Sequence, residues 1–126
     1  MSQFWGYHLC LNVAGCNIDA ITNHNTIQTF ARDLVKRIDM VPYGEPTTVR
    51  FGDGNKAGIT LIQLIETSNI MCHFVDDDGY NTNTGGAYFD CFSCKPYDVS
   101  TVIECFREYF GNTSEQVNYF TRHAYQ

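Results

Sequence analysis

Two stretches of this chain carry a single apolar stripe at helical spacing, and that limits what the rest can fold into. Over 25–40 the residues Ile27, Phe30, Ala31, Leu34, Val35 and Ile38 fall on one helix face, with Asp33 and Arg37 paired one turn apart on the surface. Asn25 or Thr26 is placed to cap this helix. Asp98 caps the second, whose inward face is Val99, Val102, Ile103, Phe106 and Phe110, and Gly111 ends it. A one-stripe helix must bury that stripe against another layer, and the remaining segments supply it. Strands are expected over 4–13, 47–51 and 87–94, with a last one over 117–121. Two more lie over 58–74, meeting at the polar break Glu66-Thr67-Ser68-Asn69. The polar run over 76–86 reads as a loop. The expected fold is α+β, a two-layer sandwich with a mostly antiparallel sheet and both helices on one face. The 126 residues suffice for one such domain, 1–126.

Charge and composition then exclude whole classes of partner. Fourteen acidic residues against eight basic ones leave a net charge of -6, the wrong sign for tracking nucleic-acid phosphates. No apolar run approaches the length of a membrane span. Six cysteines would suit a disulfide framework in a secreted protein, but the opening MSQFWGYHLC lacks a basic segment followed by an apolar one. The expectation is a cytoplasmic protein with reduced thiols, bound to neither nucleic acid nor membrane.

Among residues able to do chemistry, Ser68 sits in a polar break between apolar strands, and His73 follows five residues later. Spacing alone does not separate a catalytic pair from a turn cluster beside a strand histidine. Cys91 and Cys94 form a CxxC, yet no second ligand pair exists, and positions i and i+3 of a strand face opposite ways. Asp76, Asp77 and Asp78 lack the alternation and closing glutamate of a calcium loop. No metal site is expected.

Taken together, the run from Ser68 to Cys94, SNIMCHFVDDDGY followed by AYFDCFSC, resembles the core motif of the short prokaryotic S-adenosylmethionine decarboxylases. Those enzymes have a serine, a histidine five residues on, a Trp-Pro-Glu-x-Gly-Tyr stretch and an acidic-x-Phe-Thr-Cys strand. Gly6-Tyr7-His8-Leu9 is similar to their Gly-Arg-His-Leu start, and the two-helix α+β plan is that family's fold. The chain departs from the pattern at Thr67, at Asn69 and over Phe74-Val75-Asp76-Asp77. Asn81 to Gly86 look inserted, Lys95 replaces a glycine, and only Thr60 is a candidate for the upstream processing hydroxyl.

The resemblance implies a self-processing, pyruvoyl-dependent enzyme that decarboxylates S-adenosylmethionine for spermidine and other polyamine synthesis. Cleavage at Thr67-Ser68 would give a β chain of 1–67 and an α chain of 68–126, with Ser68 becoming the pyruvoyl group that takes up the substrate amine. His73 would be the processing base and Cys94 the proton donor. Asp77 would bind ribose hydroxyls. Phe74 and Phe51, with Tyr7 and Phe4, are candidates to stack on adenine. A built-in carbonyl replaces the electron sink that PLP provides elsewhere, so neither PLP nor a metal is expected. Family members are dimers with sites near the subunit interface, so a homodimer or higher homo-oligomer is implied. Two alternatives stand beside this reading. One is a pyruvoyl decarboxylase of arginine or ornithine, suggested by the extra acid near Asp77; the other is a non-processing dimeric ligand-binding homologue.

Overall fold

In a computed structural model describing residues 4–79 and 83–124, six strands form one antiparallel sheet in the order β2-β3-β4-β5-β1-β6. These are β1 (Gly6–Asn17), β2 (Thr47–Phe51), β3 (Gly58–Ile65), β4 (Ser68–Val75), β5 (Thr84–Ser93) and β6 (Ser114–Arg122). Helices α2 (His24–Arg37) and α3 (Val99–Phe110) pack on one face; a single turn, α1 (Ile18–Ile21), precedes α2. The α+β two-layer architecture expected from the two stripes is the one observed.

The core lies between helices and sheet. Leu9, Leu11, Ile59, Leu61, Ile70, Cys72, Phe74, Phe89 and Cys91 point inward from alternating strand positions and meet Ile27, Phe30, Leu34, Val102, Phe106 and Phe110. Phe30, Phe74, Phe106 and Phe110 form a connected aromatic cluster, with centroids of Phe74 and Phe110 4.8 Å apart.

Several boundaries differ from the expected ones for local reasons. The first strand runs past Gly15 to Asn17, because Gly15 adopts φ +76° and takes up a register shift against β5 between Val13 and Cys16. Asn17 then caps α1, and Asn23, rather than Asn25 or Thr26, caps α2 through the Thr26 N–H. Three residues assigned to the polar loop, Thr84-Gly85-Gly86, begin β5. A Cβ on Gly85 would lie 2.3 Å from both Val75 O and Ile21 Cδ1, so its glycine serves close packing. The last strand is longer than 117–121 because it pairs with β1 along nearly its whole length. Of the suspected insertion, residues 81 and 82 lie outside the described residues.

The sheet face away from the helices is assembled in rows by the strand register. Thr60, His73, Tyr88 and Asn12 form one row; Ile62, Met71, Asp90 and Cys10 the next; Leu64, Asn69, Phe92 and His8 a third. Ile62, Leu64, Met71 and Tyr88 are exposed on this face.

Candidate functional site

Glu66 and Thr67 form the two-residue connection between β3 and β4, with Ile65 opposite Ser68. The Glu66 N–H donates to Val41 O at 2.9 Å and Pro42 bridges Ile65, which pins this corner to the segment after α2. Ser68 also pairs across to Ser93, the last residue of β5. The chain leaving β5 therefore passes directly over the corner.

That crossing controls the Thr67-Ser68 peptide. The backbone N–H of Cys94 donates to the Thr67 carbonyl oxygen at 3.0 Å. It polarises that carbonyl and faces where negative charge would develop if a nucleophile attacked its carbon. Ser93, fully buried, donates through Oγ to Thr67 Oγ1 at 2.8 Å and accepts from the Lys95 N–H at 3.0 Å. The Thr67 hydroxyl lies 3.3 Å from Met40 Sδ. Both the carbonyl and the side chain of Thr67 are thus held. Ser68 has φ +155°, one of two non-glycine residues with positive φ among those described. A serine there costs on the order of 1–3 kcal/mol. The Asn69 amide donates to Ser68 Oγ at 3.0 Å, so it can stabilise the oxygen as its proton leaves.

Thiol environments single out Cys94. Burial pushes Cys16, Cys91 and Cys105 up to about 12 and Cys72 well above the usual range; burial with the neighbouring Asp90 carboxylate takes Cys10 to about 11. Cys94 is exposed. It follows the strand end facing Ser68.

His73 is elsewhere. Five residues along an extended strand span about 16 Å, so within one chain its ring stays far from Ser68 Oγ. Its Nε2–H donates to Lys56 O at 2.9 Å, which leaves Nδ1 as the acceptor for the Thr60 hydroxyl at 2.6 Å. Phe51 packs against the imidazole with ring centroids 5.5 Å apart. His73 also lines a cleft of about 340 Å³ together with Lys56, Val75, Asp77, Gly79 and Tyr88. Tyr88 is not among the candidates the sequence offers; its signal is an alternating strand position directly opposite His73.

The acidic stretch is divided in its roles. Asp76 forms a two-pronged ion pair with Arg50, and Asp78 Oδ2 accepts from Gly15 N–H at 3.0 Å and Thr84 Oγ1 at 2.6 Å. Asp77 is exposed at the cleft, with Oδ1 accepting from the Gly79 N–H. Phe74 is a correction to the expected adenine platform: it is fully buried against Phe106 and Phe110. Inward strand phase, shared with Ile70 and Cys72, puts it there. Tyr7 stacks on Tyr119, two strands away from His73.

Comparison with known proteins decides the lineage. The family model for S-adenosylmethionine decarboxylase matches residues 7–123. This chain belongs to that family. A crystal structure of the adenosylmethionine decarboxylase from Aquifex aeolicus is similar at TM-score 0.74, covering 99% of this chain and 96% of that one, with 17% sequence identity. At that identity the likeness is one of fold. No curated protein sequence gives a significant match. For this S-adenosylmethionine decarboxylase family member, no helix among the described residues is long and apolar enough to cross a membrane.

Proposed function

We propose that the chain is a self-processing, pyruvoyl-dependent decarboxylase that converts S-adenosylmethionine to its decarboxylated form and CO2, supplying the aminopropyl donor for spermidine synthesis in the cytoplasm. The observation that carries this reading is the Thr67-Ser68 peptide, with its carbonyl held by the Cys94 N–H and a nucleophilic hydroxyl on the next residue in a strained backbone. Ser68 Oγ attacks the Thr67 carbonyl carbon as its proton passes to a base, and the Cys94 N–H stabilises the oxyanion. Collapse breaks the Thr67-Ser68 C–N bond and leaves an ester. A base then removes the Ser68 α-proton, the ester carboxylate departs as the C-terminus of 1–67, and hydrolysis of the resulting enamine releases ammonia. The 68–126 chain then begins with a pyruvoyl group.

That carbonyl, once formed, supplies the electron sink for decarboxylation. Cys94, exposed beside it, returns a proton to the substrate carbon. Asp77 and Tyr88 at the cleft suit the ribose hydroxyls and adenine of the substrate, and Phe51 takes the second aromatic place. An acidic protein also attracts a sulfonium cation at long range. The basic amino-acid alternative loses its motive, since Asp76 is neutralised by Arg50 and Asp78 is occupied with Gly15 and Thr84.

Because His73 with Thr60 and Ser68 with Cys94 occupy opposite ends of β4, we assign the processing base to a second copy. Two chains packed by their outer sheet faces about a two-fold axis that runs across the strands set β4 against its copy running the other way. His73 of each then approaches Ser68 of the other. Thr60 donates to the basic Nδ1 and relays the proton.

Intact-mass measurement of purified protein tests the reading. Two fragments dividing at Thr67-Ser68 are expected, the second lighter by one ammonia than a serine-initiated chain; a stable uncut chain overturns it. Ser68→Ala stays whole. Cys94→Ala still cuts but loses turnover by roughly a hundredfold or more, as removal of a proton donor requires. Assays with carboxyl-labelled S-adenosylmethionine, arginine and ornithine fix the substrate, and release from arginine or ornithine alone overturns this assignment.

A further inference from the structure

On the outer sheet face, away from both ends of β4, three metal-binding side chains of different chemistry converge. Cys10 on β1 and Asp90 on β5 are directly paired across the sheet, and His8 lies two residues along β1 on the same face. His8 Nε2 is 3.0 Å and Cys10 Sγ 3.2 Å from Asp90 Oδ1, and the three donor atoms lie within 4.8 Å of one another. The sequence could not offer this set, because its members are up to 82 residues apart and only the β1–β5 register joins them. The expectation of no metal site weighs only the CxxC and the run Asp76 to Asp78, not residues joined across strands.

We propose that His8, Cys10 and Asp90 form a binding site for a borderline-soft divalent transition metal of the zinc class. The donor set is one nitrogen, one sulfur and one oxygen, which suits Zn²⁺ or Co²⁺ and disfavours Mg²⁺ and Ca²⁺. Around a tetrahedral zinc, adjacent N and O donors stand about 3.4 Å apart and S and O about 3.6 Å. The observed 3.0 and 3.2 Å therefore need only small outward shifts to admit the ion.

The scaffold favours such precision. All three residues sit on neighbouring central strands, and the His8 ring is held between Phe92 and Phe120 at centroid distances of 5.5 and 4.9 Å. Those aromatic walls fix the imidazole plane. Three protein ligands leave the fourth position for a water held between the paired sheets or for a group of the facing chain.

Binding exchanges protons and partners in a defined way. The Cys10 thiol gives up one proton and coordinates as thiolate, while Asp90 trades the hydrogen bonds it shares with His8 and Cys10 for the metal. His8 offers its Nε2 lone pair and keeps its proton on Nδ1. The Arg122 Nη1, 3.4 Å from that Nδ1 and stacked over Phe92, then turns away.

Chelator-treated protein titrated with Co²⁺ tests the site. One equivalent per chain is expected, with a near-ultraviolet thiolate-to-cobalt band that Zn²⁺ abolishes. Cys10→Ser removes that band, and His8→Gln and Asp90→Asn weaken binding at least about tenfold. In the unaltered protein, X-ray absorption of the bound metal should report a single sulfur neighbour near about 2.3 Å. Two sulfurs, or a band kept by Cys10→Ser and lost in Cys94→Ser, would assign the metal to the CxxC and overturn the proposal. Absence of saturable one-to-one binding overturns it equally.

Discussion

Ser68 holds φ +155° at the first position of a strand, and the backbone there disfavours any side chain bearing a Cβ. The scission proposed at Thr67-Ser68 would free that residue to rotate, so the strain would be released by that reaction. Two uncut variants isolate the effect. Ser68→Gly tolerates the dihedral at an entropic cost of roughly 0.5–1 kcal/mol, whereas Ser68→Ala keeps a strain of about 1–3 kcal/mol. Unfolding free energies from denaturant titration are therefore expected to rank glycine above alanine by about 1 kcal/mol, and the reverse order would remove strain from the account. Ser93 acts on the neighbouring residue. Ser93→Ala leaves Thr67 Oγ1 and the Lys95 N–H without that hydroxyl, at a cost of about 1–3 kcal/mol. Slower appearance of the 68–126 fragment in timed gels, with the fold retained by circular dichroism, is the expected result. The order of Ser68, His73 and Cys94 was legible in the sequence because flanking motifs carry it. The Cys94 N–H over the Thr67 carbonyl was not, since it depends on where β5 ends relative to the β3–β4 corner.

Elements were legible where one period dominates and obscure where tertiary packing overrides composition. The stripes of α2 and α3 and the hairpin at Glu66-Thr67 follow from local rules. Thr84-Gly85-Gly86 reads as a loop by composition, yet Ile21 and the Val75 backbone press on Gly85 so closely that only glycine completes the strand. Phe74 belongs to the same lesson: its neighbour His73 faces outward, so period two alone sends Phe74 inward. The fastening of α3 to β6 gives an element-scale expectation about acid. Arg107 Nε donates to Glu115 Oε2 at 2.7 Å, Asn112 Nδ2 donates to the same oxygen at 2.6 Å, and the guanidinium chiefly holds the Glu115 carboxyl below its ordinary 4.5. A depressed native value means that this stabilisation is complete above about pH 4.5 and fades as pH falls through the native value. Arg107 is more than half exposed, so solvent screening keeps the contribution small. Glu115→Gln is expected to lower the urea midpoint at neutral pH and to converge with the parent protein in acid. A gap that widens on acidification would reverse the assigned sign.

At the scale of the whole molecule, the sheet has a helix-covered face and an outer face on which Val49, Phe51, Ile62, Leu64, Met71 and Tyr88 are exposed. Apolar side chains spread across four adjacent strands are an unsatisfied surface for an isolated chain, and the second copy proposed above would cover it. The separation of His73 from Ser68 gives this packing a chemical consequence. If each site combines Ser68, Thr67 and Cys94 of one chain with Thr60 and His73 of its partner, neither Ser68→Ala nor His73→Ala cuts efficiently alone. Co-expressed, the two variants form mixed dimers in which one of the two sites is whole. That site holds Ser68 from the His73→Ala chain and His73 from the Ser68→Ala chain. With random pairing of equal amounts, about half of the His73→Ala chains should be cleaved and the Ser68→Ala chains should stay intact. Distinguishing affinity tags allow both populations to be weighed by intact mass. Persistence of both full-length chains would return the base to the same chain as its serine, which would then require β4 to break its register between Ser68 and His73.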